Sequence, residues 1–507
     1  MKWMLRAGAV AALTASFFLA LPAQAESQVT AAIGIDVTST DPHKISGGGE
    51  YLFFSNVFEG LYGHDLKGDL APQLATSYEA SADGLVYTFK LREGVKFHNG
   101  EDFGADDVRF SWQRSNDPEI KNPRASIVTK KIEDVVIVDD HTVAFHLPEP
   151  NASMIENLGE FFMIVPKDHI EEVGNDHFSK NPVGTGPYKF LGRSINEKIE
   201  LAAHEQHWGR VPGVDRLTLR IVPDAQTRIA MIRTGEADIA LNVPPHQAKQ
   251  VGADPNIDIV VNPSFQNYFI NINMLPEDSP FRDARVRQAL NYAVDKKTLI
   301  DRVMFGYATQ STAPCNRNVI GCDIDREPYP YDPEKAKALL EEAGFDFSKT
   351  YNTFGLAPGR APQSKEVAEA TMFYLNQVGI KTSVEFLEYG AWLARLRGKD
   401  PEFALFWQNW TDYNADPMGR LPRGITKGGT YSWSDLPEVD QLIAKADAIT
   451  DPDARREHLN KIFTMLYDDP PWIILWTTDE VHAKRTNIDW QPRANVSWPV
   501  FWKLSKN

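Results

Sequence analysis

The sequence predicts an α/β protein with mixed sheets. Strand-like segments of period two alternate with helix-like segments along the whole chain, and neither an internal repeat nor a low-complexity tract interrupts them. After removal of an N-terminal leader, about 480 of the 507 residues remain, too many for one ordinary core, so two or more domains are implied.

The clearest run of elements is 83–114. Leu85, Tyr87, Phe89 and Leu91 alternate with Val86, Thr88, Lys90 and Arg92, the pattern of a strand with one buried face. Glu93-Gly94 and Asn99-Gly100 are turn signals, after which Asp106 is placed to cap a helix burying Val108, Phe110 and Trp112. Residues 181–190, Asn-Pro-Val-Gly-Thr-Gly-Pro-Tyr-Lys-Phe, form a glycine and proline turn leading into a strand; without a following Gly-Lys-Ser/Thr this is no phosphate loop.

Asp224 starts a helix carrying Ile229, Ala230 and Ile232, and a strand over 237–241 follows Gly235. An alternating strand over 267–273 precedes an amphipathic helix over 283–295. Asp332-Pro333 caps a helix that Gly344 ends, and a helix over 364–378, stopped by Gly379, leads to a strand over 380–387. An apolar strand spans 403–410, and a helix over 437–449 precedes a longer one ending near Tyr467.

Lys2 and Arg6 precede an apolar run from Ala7 to Leu21, and Ala23-Gln24-Ala25 has the small-residue pattern of a cleavage site. At about fifteen residues the run is shorter than the roughly 20 that span a bilayer, so residues 1–25 read as a signal peptide cleaved after Ala25. With no cysteine near the cut, a freely diffusing periplasmic protein is expected. Loss of Lys2 and Arg6 moves the formal net charge from −16 to −18, which argues against a nucleic-acid partner. The only cysteines, Cys315 and Cys322, favour a disulfide closing a surface loop over a metal pair, because the spacing is unlike Cys-x2-Cys and no histidine stands nearby.

Within 83–114, the core Leu91-Arg92, Gly94-Val95 and Phe97-His98-Asn99-Gly100 and the helix start Ala105-Asp106-Asp107-Val108 resemble the signature of the peptide/nickel/opine class of extracytoplasmic solute-binding proteins, the receptors of ABC importers. The resemblance extends from Asp41-Pro42-His43 to Trp502. It implies a two-lobed clamshell with mixed sheets, an enlarged first lobe and two hinge crossings. Residues 26–273 and 483–507 would form lobe I, with an extra subdomain over about 75–190, and residues 274–482 lobe II. It further implies a monomeric receptor, not an enzyme, with no cofactor and no catalytic residues. Such a receptor captures a small polar solute, a peptide or a peptide-like or opine-type compound, and delivers it to an inner-membrane ABC permease.

The stretch 406–417 has the composition of a ligand pocket, with Trp407, Trp410 and Tyr413 as aromatic walls and Asn409, Asp412 and Asn414 as polar handles. The resemblance places an ammonium-binding acid where this chain has Tyr413, so Asp412 sits one place early and strand alternation would point it away from the pocket. Arg360 stands roughly where dipeptide-binding relatives hold a ligand carboxylate, Tyr389 at the position of a pocket aromatic, and Gly47, Gly48, Gly49 and Glu50 in the first lobe's ligand-facing loop.

Two other readings stay open. A nickel or metal-chelate receptor would draw on His98 or other histidines, and a secreted hydrolase on dispersed carboxylates. His204-Glu-Gln-His207 departs from the zincin spacing, so no metal site is read there, and no Gly-x-Ser-x-Gly elbow occurs.

Overall fold

The computed structural model describes residues 26–44, 50–209, 211–357, 363–411, 414–494 and 499–507. The signal-peptide reading for 1–25 therefore lies outside the described residues. Among the described residues, no helix is long and apolar enough to cross a membrane.

The main element is one mixed eleven-stranded sheet. At one end, strand Gln28–Ile33 pairs in parallel with Arg216–Ile221 on one side and Ile239–Ala240 on the other. At the opposite end, Thr350–Leu356 runs parallel to Lys381–Leu387 and to Phe403–Thr411, with helix Ser364–Gln377 making the crossover. Two long strands, Ile257–Ile272 and Trp472–Arg485, join these ends as an antiparallel pair.

The long pair changes neighbours midway. Residues 257–263 pair with 479–485, and 267–272 pair with 472–477 while taking Phe403–Thr411 on their free edge. The register shifts between Pro263 and Asn267, where proline has no N–H to give to the ladder. Each end of the main sheet is buried in a separate core. One gathers Val29, Ala31, Phe53, Phe54, Leu217 and Leu219, and receives the C-terminal Trp490 and Phe501. The other gathers Tyr268, Ile270, Phe354, Leu405, Trp407 and Trp476.

A four-stranded antiparallel sheet, Ala75–Ala80, Val86–Leu91, Thr142–His146 and Asp134–Asp139, has its own core around Phe89, Val108, Val143 and Phe145. Tyr87, Phe89 and Leu91 are buried as the alternation expects. The helix after them begins two residues earlier than a cap at Asp106 implies. It spans Ala105–Asn116 with extended Gly104 as its cap, and the carboxylate of Asp107 accepts the Gly104 N–H at 2.9 Å and the Lys167 N–H at 2.9 Å. Asp106 is exposed and instead pairs with Arg109 at 2.9 Å. Burial pushes Asp107 up to about 6.

Two motifs that look separate in sequence meet in space. His98 donates from Nε2 to Gly186 O at 2.9 Å and accepts the Gly184 N–H on Nδ1 at 3.2 Å, so the Phe-His-Asn-Gly turn clamps the Gly-Thr-Gly-Pro-Tyr turn. A Cβ at Gly184 would lie 2.1 Å from Val57 O, and one at Gly186 2.7 Å from Val57 C, which explains both glycines.

Most remaining elements match the sequence. Asp224, Asp283, Asp332 and Asp451 cap their helices through side-chain oxygens. Gly379, at φ 92°, follows helix Ser364–Gln377. The strand expected over 237–241 shrinks to Ile239–Ala240, and the helix expected over 437–449 ends at Ile443 before a short 3-10 turn. Cys315 and Cys322 form a disulfide with their Cα atoms 6.1 Å apart.

Candidate ligand-binding cleft

Strand Phe403–Thr411 sends its two tryptophans to opposite faces, because residues three apart in a strand cannot share one. Trp407 is fully buried, edge-on to Tyr268 at 5.2 Å. Trp410 packs against Phe269 at 4.9 Å and Trp472 at 6.1 Å, and a Cβ at Gly424 would lie 2.2 Å from its ring. They are therefore not two walls of one pocket, as the composition of 406–417 suggested, but anchors of two cores.

The other site residues are dispersed. Asn414 is buried and donates to Asn157 Oδ1 at 3.2 Å, while half-buried Asn409 pairs across the strands with Tyr268. Tyr389 is exposed, opens helix Tyr389–Gly398 and stacks on Trp392 at 6.0 Å. Glu50 is buried, and its carboxylate accepts the N–H of Thr38 at 3.1 Å as well as the Thr38 hydroxyl. Gly47, Gly48, Gly49, Arg360, Asp412 and Tyr413 lie outside the described residues.

The histidines of the metal readings have structural partners. Both ring nitrogens of His98 serve the turn at 184–186, and His207 contacts Glu59 at 3.2 Å. His204 stands edge-on to His98 at 4.9 Å. Among the described residues, no three His, Cys, Asp or Glu side chains come together as a metal-binding group.

A cavity of about 500 Å³ lies where the two ends of the main sheet face each other. Its first wall is built by the loops after three strand ends: Gly34 and Ile35 after Gln28–Ile33, Pro223 after Arg216–Ile221, and Asn242 after Ile239–Ala240. Strand Gln28–Ile33 has parallel neighbours on both sides, so its carboxyl end is a switch point from which the connections diverge, the place where open α/β sheets leave a crevice. The second wall is the start of helix Ser364–Gln377, and the floor is Gln266 with Asp479 and Glu480, at the changeover of the long strands.

Arg228 holds the first wall together. Its guanidinium donates to the carbonyls of Val222 and Pro223 at 2.8 Å, Leu241 at 2.9 Å and Asn242 at 3.0 Å, stitching two loops side by side. Burial pushes the Asp479 carboxyl above its ordinary range. The sequence reading passed over Arg228, Gln266, Ser364 and Asp479. Gln266 and Ser364 stand at the edges of the predicted strand over 267–273 and helix over 364–378, while Arg228, inside its helix, and Asp479 carried no such signal.

A crevice between two cores, spanned by a continuous pair of strands, defines a two-lobed binding protein of the clamshell type. The comparisons agree. The model of the bacterial extracellular solute-binding proteins, family 5 Middle, matches residues 69–432, and the chain belongs to that family. It is 32% identical over 499 residues to the glutathione-binding protein GsiB of Pectobacterium atrosepticum, covering 96% of this chain and 95% of that one. It is 33% identical over 436 residues to heme-binding protein A of Haemophilus influenzae, covering 80% of this chain and 78% of that one. Among solved structures it resembles the ABC transporter-associated periplasmic binding protein DppA of Helicobacter pylori in complex with peptide STSA, with TM-score 0.78, 27% identity, and 95% and 98% of the two chains covered.

Proposed function

We propose that this chain is the periplasmic receptor of an ABC importer, taking a small peptide or peptide-like solute between its lobes and delivering it to the membrane permease. The observation that carries the reading is the cavity at the junction of the two cores, walled by strand ends on one side and a helix start on the other. Its volume, about 500 Å³, suits a compact polar ligand of a few residues. Likeness to a glutathione-binding protein and to a peptide complex supports this ligand class.

Lobe I comprises 26–273 and 483–507 and lobe II 274–482, and the change of partners within the long strands supports a hinge near those crossings. The protein works as an exported monomer, cleaved after Ala25, without turnover of its ligand and without affinity for nucleic acid. Ligand favours closure because it touches both walls in the closed form and only one in the open form.

A thermal-shift screen of the purified chain against di- to tetrapeptides, glutathione, heme and nickel–histidine tests this. A ligand at a hundred times its Kd stabilises the folded state by about 2.7 kcal/mol. Peptides or glutathione should raise the melting temperature by several degrees. A shift with heme or nickel–histidine alone, or release of cleaved peptide over many turnovers, would overturn the reading.

A further inference from the structure

The two lobes also touch outside the cavity. Helix Met154–Phe161 is anchored through Met154, Ile155 and Leu158 in the core around Phe89 and Val143, and helix Pro452–Asp468 through Leu459, Ile462 and Phe463 in the core that holds Trp410. On the division proposed above, the first core lies in lobe I and the second in lobe II. Ser153 takes the cap position of the first helix, yet its hydroxyl makes no bond to that helix. It accepts instead from Arg455 Nη2 at 3.0 Å and donates to Asp447 Oδ1 at 2.5 Å, with Asp416 Oδ1 at 3.5 Å. A serine at a helix start ordinarily answers one of the free N–H groups there, so this hydroxyl is diverted to the other lobe.

Charge matches the two surfaces. Within lobe II, Arg455 is bound to Asp416 at 2.6 Å and stands 3.5 Å from Asp447, one guanidinium against two carboxylates. Lobe I meets this excess of negative charge with Lys131, whose ammonium lies 3.5 Å from Asp447 Oδ2, and with the N-terminal end of helix Met154–Phe161, where the macrodipole is positive. Glu156, in the first turn of that helix, is answered by His64 at 3.0 Å. The backbones meet as well. The Ala152 N–H is given to Asp447 O at 2.9 Å, and a Cβ on Gly84 would stand 2.9 Å from the Thr450 methyl. One turn along the helix, Asn157 accepts from Asn414 at 3.2 Å. Ser153, Asp416 and Arg455 are 1%, 3% and 5% exposed, so these bonds are made out of water. Among the described residues, none of these groups lines the cavity at the hinge.

We propose that Ala152, Ser153 and Lys131 form a latch that fastens lobe I to the Asp416–Arg455–Asp447 cluster of lobe II when the clamshell closes. The latch rests on the two-lobe reading and not on the class of ligand. Its contribution to closure is the same for every ligand, because no ligand atom is part of it, whereas contacts in the cleft differ from one solute to the next. Arg455 and Asp416 answer each other's charge within lobe II, so opening strands no isolated buried ion. Ser153 and Lys131 are the groups that exchange water for protein.

Pulsed electron–electron resonance on the purified chain, with spin labels at Glu79→Cys and Lys461→Cys, exposed positions on the two lobes, reads the lobe separation without ligand. Ser153→Ala should move the ratio of open to closed separations by at least about tenfold, the scale of a lost hydrogen bond to charged groups. Lys131→Gln should move it severalfold at low ionic strength and little in high salt, because its ion pair is partly exposed. This surface variant keeps the test available if Ser153→Ala misfolds. Isothermal titration should then show each variant weakening trialanine and glutathione by one common factor, since the closed fraction falls while contacts with the ligand are unchanged. Separations identical in wild type and both variants, or losses that differ between the two peptides, overturn the latch. A change in separations with no binding of either peptide supports the latch and overturns the peptide-receptor reading alone.

Discussion

Single residues in this protein are held by their protonation state. His98 and His43 are buried neutral imidazoles whose ring nitrogens are fully engaged: His98 between Gly184 and Gly186, and His43 between Met163 O at 3.0 Å and the Arg114 guanidinium at 3.0 Å. Burial holds His98 down to about 3 and His43 down to about 4, against an ordinary 6.5. Between those values and 6.5 the unfolded chain takes up protons that the folded chain refuses, so their contribution is complete above pH 6.5 and fades as the pH falls. The melting temperature should drop steadily below pH 6.5. His98→Gln should flatten that decline, and an unchanged slope would show that His98 has no part in it. His64 works the other way. Burial opposes its charge, but hydrogen bonds to Glu156 and Glu160 prevail and raise it to about 9, so its contribution is complete below pH 6.5 and fades as pH rises towards 9.

At the scale of elements, close approach of backbones governs. Because Gly184 meets Val57 O, Gly184→Ala should cost about 2 kcal/mol or more in urea unfolding. Gly192→Ala, with nothing within 4 Å of a new Cβ, should be nearly neutral and serves as its control. A second element-level contact joins the helix Pro452–Asp468 to the antiparallel-sheet region. Arg455 donates to Asp416 at 2.6 Å and to the Ser153 hydroxyl at 3.0 Å, and Ser153 in turn donates to Asp447 at 2.5 Å. Arg455 and Asp416 are both buried, so Arg455→Ala strands a carboxylate and should cost about 3–5 kcal/mol. A loss below about 1 kcal/mol would mean that water relieves Asp416. Helix starts were readable because a cap is a local event: Asp224 and Asp332 did what their spacing predicted. The exception is 104–107, where Gly104 takes the cap position in place of Asp106. Burial beside Lys167 selected Asp107 as the side chain that turns back.

For the whole molecule, the long strands make the hinge and the floor of the cleft at once, since Gln266 and Asp479 lie where the pair changes partners. Binding at that floor should compact the protein. Small-angle scattering with saturating trialanine should show a smaller radius of gyration than the free protein, and an unchanged radius would separate binding from closure. By itself the sequence determined the class of fold, the signature of the family, the disulfide and the helix starts at Asp224 and Asp332, because periodicity and capping are settled within a few residues of chain. It also pointed to 406–417 as a pocket, and there composition misled: a tryptophan's face depends on the strands beside it, and pairing with Ile257–Ile272 turned Trp407 and Trp410 into separate cores. Only the tertiary structure decided where the cleft lies. Gly34, Pro223, Asn242, Ser364 and Asp479 are scattered over most of the chain, and they meet because parallel strand ends and a helix start converge on one hinge.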